Sequence, residues 1–178
     1  MEKGVLTLAF LKPDDDHPWM NRVTARVSKH PFCHVKLVFD CGTKSAEGFS
    51  IQLGEVVSLR HTKLSNPGYS TLSFAMPLSD YKSIREFCKH AAGANLTFDN
   101  TGMYLATVHP GGCMHIPSRR MGSTFCSKII CEALQAGNVP ETRSLCPSAC
   151  TPSSLYSAFS ESPSRILAPM RVPGILKM

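Results

Sequence analysis

The chain opens on an apolar run, Val5-Leu6-Thr7-Leu8-Ala9-Phe10-Leu11, closed by Lys12-Pro13 and the acidic cluster Asp14 to Asp16. A run of that length between turn formers predicts a buried strand. A short helix is expected next, because Asp16 can cap it, Pro18 suits its first turn, and Trp19, Val23 and Val27 recur at helical spacing. From residue 34 the period drops to two. Val35, Leu37 and Phe39 fall on one face of a strand and His34, Lys36 and Val38 on the other. Cys41-Gly42-Thr43-Lys44 marks a turn, and Phe49, Ile51 and Leu53 then alternate with Ser50 and Gln52. Gly54-Glu55 allows a reversal into residues 56–61, so 34–61 reads as an antiparallel meander.

Beyond the loop Ser65-Asn66-Pro67-Gly68, Leu72, Phe74, Met76 and Leu78 alternate as in a strand. Ser79 or Asp80 can then cap a helix whose apolar face is Tyr81, Ile84, Phe87, Cys88 and Ala91, with Gly93 at its end. Residues 103–108 fit either a strand or an extended approach to the next loop. That loop, 109–124, is rich in Gly, Pro, Ser and Arg and breaks all periodicity. A helix follows, capped by Ser123 or Thr124, with Ile129, Ile130, Ala133 and Leu134 as its buried stripe and Gly137-Asn138 and Pro140 as its stop. Cys126 falls in its first turn. Thr151-Pro152 starts a last short helix carrying Leu155, Tyr156 and Phe159. The expected organisation is one domain over residues 1–160, with a Pro-containing tail over 161–178 that either wraps the surface or is partly disordered.

With 178 residues the chain is long enough to bury a core without staples. Its 43% hydrophobic and 18% charged residues suit a soluble globular protein. The net charge of +6 draws it toward anionic surfaces, but the basic residues are scattered singly, with no aromatic-interleaved run. That favours a solvated basic surface over specific nucleic-acid recognition. Eight cysteines without zinc-ribbon or small-scaffold spacing suit a reducing compartment, with most thiols free. Cys113-Met114-His115 and the Cys146, Cys150 pair match no standard zinc spacing. No segment has the pattern of a signal peptide and every apolar stretch is too short to cross a bilayer, so a cytoplasmic protein is expected, in host cytoplasm or a virion if it is viral.

A thiol attacks as thiolate, and a helix N-terminus favours that anion through its unpaired amides and dipole. Cys126 has this placement. Its partner should be a histidine on a rigid strand, and His34 qualifies. His61 and His109 compete on the same terms, whereas His90, at a helix end, is better suited to complementing the dipole. The bland alternative for Cys126 is a small buried residue on an amphipathic helix.

A histidine on a strand, a polar residue on the next strand and a cysteine at a helix start, in that chain order, resemble the circularly permuted NlpC/P60 proteins. This papain-like group includes bacterial YiiX-like proteins and a poxvirus member. The matching segments are His34-Val35-Lys36-Leu37-Val38-Phe39, Phe125-Cys126-Ser127-Lys128-Ile129-Ile130 and Thr151-Pro152-Ser153-Ser154-Leu155-Tyr156. The resemblance covers most of residues 30–160 and implies an α+β, permuted papain-like fold, a small antiparallel sheet packed against helices. It also implies Cys126 as nucleophile and His34 as base. The family often carries Glu on the strand after the His strand; this chain offers Gln52, whose amide oxygen can still accept an imidazole N–H. Glu47, Ser50 and Glu55 are the alternatives for that third role. Tyr104 stands where relatives often line the site with a Tyr, although a core Tyr is the simpler reading.

The chemistry expected is attack on an amide, ester or thioester carbonyl, released to water or to an acceptor, with no metal or organic cofactor required. Peptide, isopeptide or lipid acyl groups are the implied substrates, and Arg119 and Arg120 would favour an acidic substrate or a lipid phosphate. The rivals are a catalytically inactive papain-like binding module and a basic nucleic-acid-binding protein. A raised Cys126 thiol, or a side chain without access to a cleft, would favour the binding module.

Overall fold

The computed structural model describes residues 2–14, 22–23, 25–26, 29–41, 43, 45–64, 68–108, 122–162 and 166–167. The first apolar run is β1 (Lys3–Leu11), and it occupies the middle of the main sheet. It pairs antiparallel with β2 (His34–Phe39) on one side and β5 (Tyr69–Pro77) on the other. Beyond β2 lie β3 (Glu47–Ser50) and β4 (Ser58–His61), so the expected meander is present and every pairing in it is antiparallel. The tail contributes β8 (Ile166–Leu167), which pairs with β5 and completes the order β4-β3-β2-β1-β5-β8. β6 (Thr97–Phe98) and β7 (Ser123–Thr124) form a separate parallel pair.

Four helices follow in the described chain: α1 (Leu78–Gly93), α2 (Asn100–Val108), α3 (Cys126–Ala136) and α4 (Pro152–Ser160). One sheet face carries Leu6, Leu8, Phe10, Val35, Leu37, Phe39, Phe49 and Phe74. The buried stripe of α3, Ile129, Ile130, Ala133 and Leu134, joins them in one core with Tyr81, Ile84 and Cys88 of α1. Each such apolar side chain contributes about 1.5–3 kcal/mol over leaving it in water. The architecture is α+β.

Several boundaries differ from the sequence expectation, each for a local reason. β3 stops at Ser50 and Leu53 is 53% exposed, because Gly54, at φ 81°, sits in a turn closed by the Glu55 N–H on the Gln52 carbonyl (3.0 Å). α1 starts directly from β5, after Pro77 and ahead of Ser79 and Asp80, with no side-chain cap. Residues 103–108 are helical, not extended. Asp99 starts that helix, its carboxylate accepting the Gly102 N–H (2.8 Å) and its carbonyl the Met103 N–H (3.1 Å). The N-cap of α3 is Phe125, because Ser123 and Thr124 are committed to β7. Of the first expected helix, Arg22, Val23, Ala25 and Arg26 are helical, with Val23 exposed and Ala25 buried; Asp16, Pro18, Trp19 and Val27 lie outside the described residues.

α4 forms as expected. Thr151 and Ser154 make a reciprocal capping box, with Pro152 at the first helical position and Leu155 and Phe159 buried.

Candidate active site

The start of β2 is held by the segment before it. The His30 N–H donates to Ser153 Oγ (3.0 Å) and its ring Nε2 lies 3.1 Å from Ser157 Oγ, tying this segment to α4. Phe32 packs against Phe10 and Tyr156, with ring centroids 5.3 and 4.7 Å away. The Cys33 N–H then donates to the Leu11 carbonyl (3.0 Å), and His34 begins the strand.

His34 is 8% exposed and its Nε2 lies 3.0 Å from Ser50 Oγ on the neighbouring strand. The Ser50 hydroxyl has one proton, which it donates to the Val35 carbonyl (3.1 Å). A Ser50 hydroxyl that donates to the Val35 carbonyl accepts from Nε2–H. That arrangement goes with the Nε2–H tautomer of the neutral ring, in which Nδ1 is the basic nitrogen.

Cys126 is the first residue of α3 and only 2% exposed. Burial pushes its thiol above the ordinary value; the backbone N–H groups of Val35, Ser127 and Cys126 itself oppose the rise. The Val35 amide thus meets the sulfur one residue along β2 from the imidazole. Ser127 is buried and its hydroxyl donates to the Cys150 carbonyl (2.7 Å), which locks the start of α3 to the segment before α4.

The sulfur lines a cavity of about 10 Å³, room for roughly one water. Cys33, Met103, Thr107, Cys150 and Thr151 share that lining. Burial is also the first cause raising Cys33, to about 12, followed by the nearby Cys126 thiol. Cys150 is raised by its hydrogen bond with Cys131 and then by burial. The sequence reading missed this gathering of thiols. The adjacency of Cys33 to His34 was the available signal, and the fold brings Cys150 to it.

The remaining expected residues divide clearly. The imidazole's bond runs to Ser50 in the place expected for Gln52, which is exposed in the turn beyond β3 and lines a polar groove with Ser50 and Glu55. Glu47 is ion-paired with Arg85 of α1. Tyr104 is 54% exposed, so it is not a core residue, and Met103 and Thr107 are the residues of α2 beside the thiol. His61 and His90 are exposed, the latter in the last turn of α1. Arg119, Arg120, His109, Cys113 and His115 lie outside the described residues.

Among the described residues no group of three or more His, Cys, Asp or Glu is arranged to hold a metal ion, and no helix is long and apolar enough to cross a membrane. Comparison with protein-family models, with curated proteins and with solved structures finds no match to this chain.

Proposed function

We propose that this protein is a cysteine-dependent acyl hydrolase of permuted papain-like type, with Cys126 as nucleophile, His34 as general base and Ser50 as the residue that orients the base. The observation that carries this reading is the chain Val35 carbonyl, Ser50 hydroxyl, His34 Nε2, which leaves Nδ1 basic on the strand whose next amide meets the Cys126 thiol. In the step proposed, the S–H proton passes to His34 Nδ1 as the sulfur bonds the substrate carbonyl carbon. The oxyanion formed is held by the helix-start N–H of Cys126. Collapse breaks the bond to the leaving amine, alcohol or thiol, which takes the proton from the imidazolium, and water or an acceptor then releases the acyl group. Peptide, isopeptide or lipid acyl groups are the substrate classes this chemistry serves.

A second reading, a papain-like module that binds without cleaving, is favoured by two specific observations: the Cys126 side chain is almost fully buried, and that burial raises its thiol. The two separate on acylation by p-nitrophenyl acetate, followed by peptide mass spectrometry. The hydrolase predicts a burst of p-nitrophenol with the acetyl group on Cys126, lost in Cys126→Ser and strongly slowed in His34→Ala. Acetylation spread over surface lysines, with Cys126 unmodified, contradicts it.

A further inference from the structure

The face of β2, β3 and β4 opposite the hydrophobic core carries a groove of about 190 Å³, separate from the cavity at the thiol and sharing Ser50 with the proposed site. The strand pairing builds it, since Gly48 faces Arg60 and Ser50 faces Ser58 across β3 and β4. Lys36, Arg60 and His61 line it together with the hydroxyls of Ser58 and Thr62, and Glu55 is the one carboxylate in its lining.

Lys36 is the unusual member. Its side chain is half-buried and its ammonium sits 3.4 Å from Thr62 Oγ1 and 5.7 Å from the centre of the Tyr69 ring. Among the described residues no carboxylate lies within ion-pair distance of it. A side chain at Gly48 would stand 2.9 Å from Lys36 Cδ and 3.0 Å from Thr62 Cβ, so glycine is what lets the lysine lie across the strand toward Thr62. Glu55, in the same groove, is a counter-charge to Lys36 but lies beyond ion-pair distance, so an anion beside the ammonium would recover more of the free energy that its burial costs.

We infer that this groove is a binding site for a phosphate group, held by Lys36 and Arg60 with Ser58 and Thr62 as neutral donors. A phosphate matches the set better than a carboxylate: it carries up to two charges for two fixed cations, and it accepts the guanidinium fork while keeping oxygens for the hydroxyls. The volume is below the roughly 300 Å³ at which sites for drug-sized ligands begin, so the groove takes a free anion or the phosphate end of a larger molecule. The site does not depend on the thiol chemistry, and Cys126→Ser should leave it intact.

The test is calorimetric titration of the full chain with inorganic pyrophosphate. The expected result is saturable binding at one site, weakened about tenfold or more in Lys36→Met and in Arg60→Gln, as loss of a charge-assisted hydrogen bond implies. Lys82→Met, an exposed position on α1, should bind as the parent does. Arg60 is exposed, so Arg60→Gln carries the test if Lys36→Met fails to fold. Phosphatidylcholine vesicles with and without phosphatidic acid identify the source of the phosphate. Vesicle binding that Arg60→Gln weakens and pyrophosphate competes away assigns a lipid headgroup; pyrophosphate binding alone assigns a soluble ligand. Absence of saturable pyrophosphate binding, or equal affinity in Arg60→Gln and parent, overturns the inference.

Discussion

The two faces of the sheet at β2 and β3 are built from alternate residues of the same strands and behave as opposites. On one, Val35, Leu37, Phe39 and Phe49 are sealed against α3 and α1. On the other, Lys36, Gly48, Ser50, Ser58 and Arg60 leave a polar groove. A period of two separates them, so the same strands hold the helix that carries Cys126 and present cations to solvent. His34 and Ser50 stand where the two environments meet: both are buried, they are bonded to each other, and Ser50 also lines the groove. Candidate chemistry thus sits at the seam, where a rigid apolar layer fixes geometry and polar groups remain available.

The comparison breaks most readily on the core side. Phe49→Ala should destabilise the fold by about 3–5 kcal/mol, read from urea unfolding, because it removes a fully buried ring between β3 and the helices. At the seam, Ser50→Ala leaves the imidazole Nε2–H and the Val35 carbonyl short of a partner and should cost about 1–3 kcal/mol. Nitrogen-resolved NMR of His34 should also show loss of the single Nε2–H tautomer in this variant.

Alkaline pH tests the core side in another way. Cys33 is held protonated in the fold to about pH 12, against an ordinary value of 9.0, chiefly by burial. Below pH 9 both folded and unfolded chains keep the proton, and stability is full. Between about 9 and 12 the unfolded chain ionises first, so stability should fall through that window, and less steeply in Cys33→Ala. Thr151→Ala, which breaks the capping box of α4, should cost about 0.5–2 kcal/mol. The smallest effect is expected at the surface. Lys29→Ala removes an exposed pair with Glu161 at 3.3 Å and should change stability by less than about 1 kcal/mol.

Much of this fold was legible in periodicity. The alternation from His34 to Phe39, the stripe of α3 and the Thr151-Pro152 helix start all form as read, because burial and capping there are local consequences of sequence. The misreadings share a cause: a residue was taken up by a neighbour the pattern does not encode. Ser123 and Thr124 pair with β6 and so leave the cap of α3 to Phe125. Asp99 turns an ambiguous stretch into α2 through two backbone bonds. At the site, His34 and Cys126 were legible as residue types in suitable elements. The choice of Ser50 over Gln52 was not, because it depends on where β3 ends, and the turn at Gly54 decides that. The grouping of Cys33, Cys126 and Cys150 is tertiary, and the sequence carries only the adjacency of Cys33 to His34 as a sign of it.

The central claim, that His34 draws the proton from Cys126, is tested most directly by the pH dependence of iodoacetamide alkylation at that one thiol, measured by peptide mass spectrometry in parent and His34→Ala. Buried Cys88 on α1 serves as the internal standard. The account predicts that Cys126 reacts well ahead of Cys88 near neutral pH, with a rate that rises as the imidazole loses its proton, and that His34→Ala slows it by roughly a hundredfold. If Cys126 is alkylated only as slowly as Cys88, and His34→Ala leaves its rate unchanged, the pair is packing and not catalysis.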